Sequence, residues 1–190
     1  MLYNISNADD GTESVTLPFL FQWRGQVNYT QVLVDSNGVI FPGGDQSDAG
    51  SYQLHPVELG GSYSAPRIAV WQQDLNPSAS GKIYVANVDG VFVISWEGVP
   101  HINAWFYEDG LNFQVALHAG GNIEIRWGDG NPIEDVSGAA GIEDDAAGVA
   151  VPATRFSFGD ETNGGVAASF PSNQCRAFAV TATGNYAELP

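Results

Sequence analysis

Short apolar runs separated by turn-forming residues dominate this chain. Between residues 65 and 122 the runs RIAVW, KIYVANV, VFVISWE and LNFQVALH alternate with Pro, Gly, Asn and Asp. Short runs that are rich in β-branched and aromatic residues and bounded by such turn formers are typical of antiparallel strands. The pattern predicts strands at 13–20, 29–35, 39–41, 67–71, 82–88, 91–97, 111–118, 122–127, 155–158, 166–170 and 176–181.

The turns and the strand spacing together predict the fold class. Tight hairpins are expected at three dipeptides that tolerate positive φ: Asn37-Gly38, Asp89-Gly90 and Gly120-Gly121. Strands spaced by roughly 8–12 residues, with no convincing helical pattern, indicate a sandwich or a barrel. We therefore predict an all-β fold, an antiparallel β-sandwich (barrel-like) with long Gly- and Asp-rich loops and little or no helix.

The run at 91–97 is apolar on both faces. Val91 and Val93 alternate with Phe92, Ile94 and Trp96. A strand that is buried on both faces has such a continuous apolar run. We expect this strand to be central in its sheet and covered on both sides.

The charge of the chain narrows the classes of partner. Its 190 residues include 22 Asp plus Glu but only 6 Lys plus Arg, which gives a net charge of −16. Such a chain repels phosphate backbones and anionic membrane surfaces. No segment approaches the ~20 apolar residues of a membrane helix. We expect a single domain over 1–190, with no nucleic-acid binding and no membrane insertion.

The N-terminus and the lone cysteine bear on where the protein is made. The first residues lack the basic and apolar regions of a signal peptide. We expect either a complete protein made in the cytoplasm or a mature piece of a secreted one. Cys175 is the only cysteine, and we expect it to be buried because free Cys commonly is. A link between two chains is the alternative.

Four segments match, in order, the pattern of a known family: LPFLFQWRGQVNYTQVLVDSNGVI (17–40), PRIAVWQQDLNPSASGKIYV (66–85), VFVISWEGVPH with LNFQVALHAGGNIEIRW (91–127), and GIEDDAAG (141–148). Together they resemble the nidogen-like (NIDO-type) extracellular domain and its bacterial and phage relatives. The resemblance assigns 17–148 to the module and leaves 1–16 as an N-terminal arm. Residues 149–190 would be C-terminal strands or an interface extension.

The resemblance implies a β-sandwich module of matrix, adhesion and surface proteins, without enzymatic activity. The resemblance implies structural roles for the positions that it singles out. They comprise a turn, three core aromatics and a loop carboxylate that accepts backbone hydrogen bonds: Asn37 and Gly38, then Trp71, Trp96 and Phe113, then Asp74.

The sequence contains little evidence for a catalytic site. The three histidines, His55, His101 and His118, have no nucleophile motif beside them. A glycosidase needs two facing carboxylates, and although Asp74 and Glu97 are among the available acids, no spacing selects a pair. The chain is therefore predicted not to be an enzyme.

Calcium is the one cofactor considered for the acidic loops. Ca²⁺ takes about six to eight oxygen ligands from flexible loops. Asp129, Asn131, Glu134 and Asp135 lie within a short segment that could supply them, although the EF-hand spacing is not met. A solvated acidic loop is the alternative, so the cofactor prediction is none, with a Ca²⁺ site left open.

An aromatic run lies in the insert between the strands predicted at 91–97 and 111–118. Trp105, Phe106 and Tyr107 are consecutive, and an extended chain cannot turn three consecutive side chains to one face. Aromatic residues dominate interface anchors. The run is therefore a candidate partner-binding segment, with packing under a neighbouring loop as the alternative.

Three functions follow from these observations. The leading hypothesis is a structural protein on a virion surface, a capsid-decoration or tail-associated protein of a phage that binds other protein subunits, including copies of itself. The alternative is a secreted or cell-surface adhesion or matrix module, or an extracellular fibre protomer, with Ca²⁺ in its loops. The third is an acidic carbohydrate-active protein, for which carbohydrate would be the ligand.

Overall fold

The structure is a computed structural model that describes residues 3–4, 8–44, 66–102, 110–129, 139–143, 154–156 and 172–190. Within these ranges the chain forms strands and no helix. The strands are β1 (Tyr3–Asn4), β2 (Thr12–Trp23), β3 (Val27–Asp35), β4 (Val39–Pro42), β5 (Arg67–Gln72), β6 (Lys82–Val88), β7 (Val91–Val99), β8 (Leu111–His118), β9 (Ile123–Trp127), β10 (Ala139–Glu143), β11 (Thr154–Phe156), β12 (Gln174–Val180) and β13 (Tyr186–Glu188).

The strands form two antiparallel sheets. The order β1-β6-β7-β8-β9-β12-β13 makes a seven-stranded sheet, and the order β11-β10-β5-β4-β3-β2 makes a six-stranded sheet. Neither sheet closes on itself, so the fold is an open sandwich. The predicted all-β antiparallel sandwich with little or no helix is confirmed for the described residues.

Alternation of side chains along each strand places one face of each sheet in a shared core. On β7, Phe92, Ile94 and Trp96 are buried, whereas the residues between them remain partly exposed. Two buried tryptophans, Trp96 and Trp127, donate hydrogen bonds from their indole N–H groups to backbone carbonyls of the opposite sheet. Trp127 on β9 donates to the Val70 carbonyl over 2.9 Å. A buried indole thus finds the partner that it needs, and the two layers are tied together.

The edge strand β2 carries a proline that an interior strand would not accept. Pro18 lies in the stretch where the β2–β3 register shifts, between Thr16 and Phe21. Proline cannot donate to a ladder and is confined to edges and bulges. The irregularity also interrupts an edge of the sandwich that would otherwise offer a long template for unwanted pairing.

Residues 172–190 belong to the seven-stranded sheet. β12 pairs with β9, and β13 pairs with β12. The turn between β2 and β3 holds this hairpin in place. Arg24 donates from Nε to the Gly184 carbonyl over 2.6 Å and from Nη2 to Asn185 Oδ1 over 2.7 Å, and Trp23 meets Tyr186 edge-on with centroids 5.3 Å apart.

Two expectations, one about Cys175 and one about strand β7, need correction. Cys175 is exposed rather than buried, because it lies opposite Arg126 on the side of the sheet that faces away from the core. β7 is central, between β6 and β8, as expected. Its second face is only half-buried, at Val91 and Val93, so the described residues do not fully cover both sides.

Candidate functional site

A buried turn joins β3 to β4 and forms the polar centre of the fold. Asp35, Ser36 and Asn37 are each at most 3% exposed. The Asp35 carboxylate accepts a hydrogen bond from the Asn37 backbone N–H over 2.8 Å, and the Asp35 carbonyl accepts from Gly38 N–H over 3.3 Å. An aspartate that caps its own turn in this way explains why the Asp-Ser-Asn-Gly sequence forms a hairpin here.

The Asn37 side chain connects this turn to two distant segments. Its Oδ1 accepts a hydrogen bond from the Leu75 backbone N–H over 2.8 Å. Its Nδ2 donates to Asp10 Oδ1 over 3.0 Å, and its backbone carbonyl accepts from Gln73 N–H over 3.2 Å. Asn37 therefore holds the 8–11 segment and the 73–75 loop against the end of the sandwich.

Gly38 allows β5 to approach the turn closely. Its carbonyl accepts hydrogen bonds from the backbone N–H groups of Val70 and Trp71, over 2.9 and 3.2 Å. Its φ is +77°, and a Cβ atom at this position would lie 2.1 Å from the Trp71 carbonyl oxygen. Only glycine fits both the left-handed backbone and the contact.

The three predicted core aromatics are fully buried around this turn. Trp96 donates from Nε1 to the Asp35 carbonyl over 3.3 Å and stacks on Phe113 with centroids 5.0 Å apart. Trp71 donates from Nε1 to Gln73 Oε1 over 3.1 Å. The structure thus brings the residues predicted to be structural into one neighbourhood.

Three carboxylates meet on the solvent side of the Asn37 network. One oxygen from each of Asp9, Asp10 and Asp74 lies within 4.8 Å of the others. Asp9 is exposed and Asp74 is partly buried. Burial, followed by repulsion from Asp10 and then Asp9, raises the pKa of Asp74. Burial and repulsion from Asp10 also raise the pKa of Asp9, against a backbone hydrogen bond that lowers it.

This acidic cluster can share a proton or face a cation, since close carboxylates disfavour full ionisation. Sequence reasoning missed Asp9 and Asp10, and the only available signal was an Asp-Asp pair before Gly11. The role predicted for Asp74, that of accepting backbone hydrogen bonds in its loop, stays a prediction. The Asn37 side chain holds that loop by accepting a hydrogen bond from the Leu75 N–H.

The two other predicted sites fall largely outside the described residues. Trp105, Phe106 and Tyr107 lie outside them, as do Asn131, Glu134 and Asp135. Asp129 is exposed, and its backbone carbonyl accepts a hydrogen bond from Asn112 Nδ2 over 3.0 Å. The aromatic partner-binding segment and the calcium ligands therefore stay predictions.

Two histidines occupy structural positions. His118 Nε2 lies 3.0 Å from Glu124 Oε1, and the other oxygen of Glu124 accepts from Arg126 Nη2 over 2.6 Å. These hydrogen bonds, that of Arg126 first, hold the pKa of Glu124 below its usual value. His101 pairs with Leu75 in an isolated antiparallel β-bridge, and burial lowers the pKa of its imidazole.

Comparisons with known proteins place the chain in a family. Searches of curated proteins and of solved structures gave no match. A family model described as NIDO related matches residues 2–178, a span that runs from β1 into β12 and contains both the Asn37 network and the acidic cluster. The match confirms the resemblance to the nidogen-like domain. The chain belongs to the NIDO-related family.

Proposed function

We propose that this protein is a non-enzymatic structural module on the outside of a virion, where it acts as a capsid-decoration or tail-associated subunit bound to other protein subunits. The observation that carries the proposal is that the buried polar groups of the Asn37 turn form hydrogen bonds within the fold. Asp35 accepts a hydrogen bond from the backbone of its own turn, and Asn37 hydrogen-bonds to the Leu75 backbone and to the Asp10 side chain. These buried polar groups hold the fold together, and a structural rather than a catalytic use of them is what a display module requires.

The charge favours the outer surface of a particle over its interior. A net charge of −16 opposes contact with a packaged genome, because phosphates repel carboxylates. The same charge keeps an exposed protein soluble and suppresses nonspecific association. A subunit that faces water on a particle suits both effects.

A second candidate is a secreted or cell-surface adhesion or matrix module, or an extracellular fibre protomer. Membership of the NIDO-related family favours it, since the nidogen-like pattern is that of matrix and adhesion proteins. A third candidate, a carbohydrate-active protein, would need a buried general acid beside a second carboxylate. The acidic cluster fits this requirement poorly, because Asp9, one of the two carboxylates beside Asp74, is exposed. We therefore rank the carbohydrate-active candidate last.

Immunogold electron microscopy separates the candidates. Antibodies raised against the purified protein would be applied to particles and to cells from the same culture. We expect gold on the outer surface of virions. Gold on cell surfaces or extracellular fibres alone would support the adhesion candidate instead, and gold confined to the cell interior would overturn both. Hydrolysis of oligosaccharides by the purified protein, lost in Asp74→Asn, would overturn the non-enzymatic assignment.

A further inference from the structure

The seven-stranded sheet turns one face away from the core. On this face the side chains of β6, β7, β8, β9 and β12 form two rows across the strands. One row consists of Tyr84, Ser95, Gln114, Arg126 and Cys175. The other consists of Ala86, Val93, Ala116, Glu124 and Ala177. A third row of Val88, Val91 and His118 and a fourth of Lys82 and Glu97 flank them. We call these fifteen positions the outer face.

The outer face is electrically neutral on a strongly acidic molecule. It carries Lys82 and Arg126 against Glu97 and Glu124, so 2 − 2 gives zero, compared with −16 for the chain. The charges are also matched in position. Lys82 is the register partner of Glu97, and Arg126 is 2.6 Å from Glu124. A partner that covered this face would therefore meet none of the excess negative charge.

The outer face is also more apolar than a solvent-facing sheet requires. Antiparallel sheets with one wet face usually alternate apolar residues inside with polar residues outside. Here Val91 and Val93 point outward beside Ala86 of the adjacent β6, Ala177 lies further along the same row on β12, and Val88 is 54% exposed. These groups gain free energy if a second surface removes them from water.

The size of the outer face sets the strength expected of such a contact. Five strands spaced by ~4.8 Å and seven residues rising ~3.4 Å each define a surface of roughly 24 Å by 24 Å. Two such surfaces would bury roughly 1,100 Å² in total, near the lower limit for specific protein interfaces. We therefore expect weak association that depends on concentration.

We propose that the outer face is the contact at which two copies of this chain pack sheet against sheet. Two molecules of charge −16 repel each other through acidic surfaces, whereas this face brings neutral, matched surfaces together. A two-fold arrangement uses the same patch on both copies, and sheets that pack face to face lie ~10 Å apart. This inference rests on the proposed function, because both assume that the partners are protein subunits, including copies of this chain.

Sedimentation velocity on the full chain tests the contact. From about 1 μM to about 1 mM we expect a shift from monomer to dimer, which should strengthen with added salt because screening weakens the remaining repulsion. Val93→Glu and the nearly isosteric Gln114→Glu would place like charges opposite each other in a two-fold contact, so each should weaken association at least about tenfold. Thr16→Glu adds the same charge on an exposed position of β2 and should associate as the wild type does.

Circular dichroism and thermal unfolding would verify that each variant is folded. A wild type that stays monomeric over the whole concentration and salt range would overturn the inference. The same conclusion would follow if the folded Gln114→Glu variant associated as strongly as Thr16→Glu.

The lone thiol offers a second, independent measurement. Cys175 is exposed and lies in the first row of the outer face. Its rate of maleimide labelling should fall as protein concentration rises through the dimerisation range. In the double variant Cys175→Ser, Thr16→Cys, the rate should not change. Dimers that leave Cys175 labelling unaffected would overturn the assignment of this face. A strictly monomeric protein that still decorates virions would remove this inference and leave the proposed function standing.

Discussion

The side-chain oxygen of Asn37 accepts a hydrogen bond of 2.8 Å from the backbone N–H of Leu75, and both residues are fully buried. Asn37→Ala leaves that N–H without an acceptor and also removes the donor to Asp10. A buried donor that loses its partner costs about 1–3 kcal/mol, and the second lost bond adds about 1 kcal/mol. We expect the free energy of unfolding to fall by about 2–4 kcal/mol, measured by urea denaturation.

Asn28→Ala provides a matched control for this change. Asn28 lies on the same strand as the Asn37 turn, but its side chain is exposed, so the cost should stay within about 0.5 kcal/mol. Equal losses in the two variants would contradict the role given to Asn37.

Gly38 and Gly90 allow backbone strain to be separated from steric contact. Both have positive φ, +77° and +83°, but only a Cβ at Gly38 would clash, 2.1 Å from the Trp71 carbonyl oxygen, whereas Gly90 has open space. Gly90→Ala should cost about 1–2 kcal/mol from φ alone. Gly38→Ala must in addition push β5 away from the turn, and we expect a loss above about 3 kcal/mol or no folded protein. Thermal unfolding of both variants compares them, and similar midpoints would contradict the close approach at Gly38.

The predicted calcium ligands around Asp129 can be tested without any structural assumption about the loop. A Ca²⁺ site in the native state raises the melting temperature as the ion saturates it, because binding stabilises only the folded form. Calorimetry at a few millimolar Ca²⁺, about the affinity of weak extracellular sites, should then show a higher melting temperature that Asp129→Asn reduces. Asp74→Asn, which alters a different acidic group, should leave the shift intact. An unchanged melting temperature and no heat of titration would remove the calcium hypothesis.

The sequence predicted the long strands well because their ends are marked by turn residues. β6 and β8 have the predicted bounds, 82–88 and 111–118, and the Asp89-Gly90 turn closes β6 onto β7. The loop at Gly120-Gly121 is longer than the predicted two residues, since His118 N–H bonds to the Asn122 carbonyl across it.

The strands that were missed depend on partners rather than on their own pattern. β1 and β13 have two and three residues, too few to show a period. β10 reads AAGIE, a poor strand sequence, and it is extended because it pairs with β5, with Ile142 opposite Ile68. The acidic cluster was missed for the same reason, since the fold and not the sequence brings Asp9 and Asp10 to Asp74.

The raised pKa of Asp74 makes a prediction about pH and stability. Burial and the neighbouring Asp10 and Asp9 favour its protonated form in the folded state. A carboxyl whose pKa is higher folded than unfolded destabilises the protein above that pKa, and the cost disappears as pH falls through the raised folded value toward the unfolded one. Asp74→Asn should therefore stabilise the protein at pH 7, by less than about 1 kcal/mol because the group is partly exposed.

The difference between Asp74→Asn and the wild type should shrink as pH is lowered from 7 to about 3, where the unfolded carboxyl also binds its proton. Urea denaturation at several pH values measures it. Asp129→Asn removes one negative charge from an exposed residue that is not a member of the cluster, and it controls for net charge. The stabilisation by Asp74→Asn could persist unchanged at pH 3, or Asp129→Asn could reproduce it. Either result would show that the raised pKa of Asp74 is not the cause.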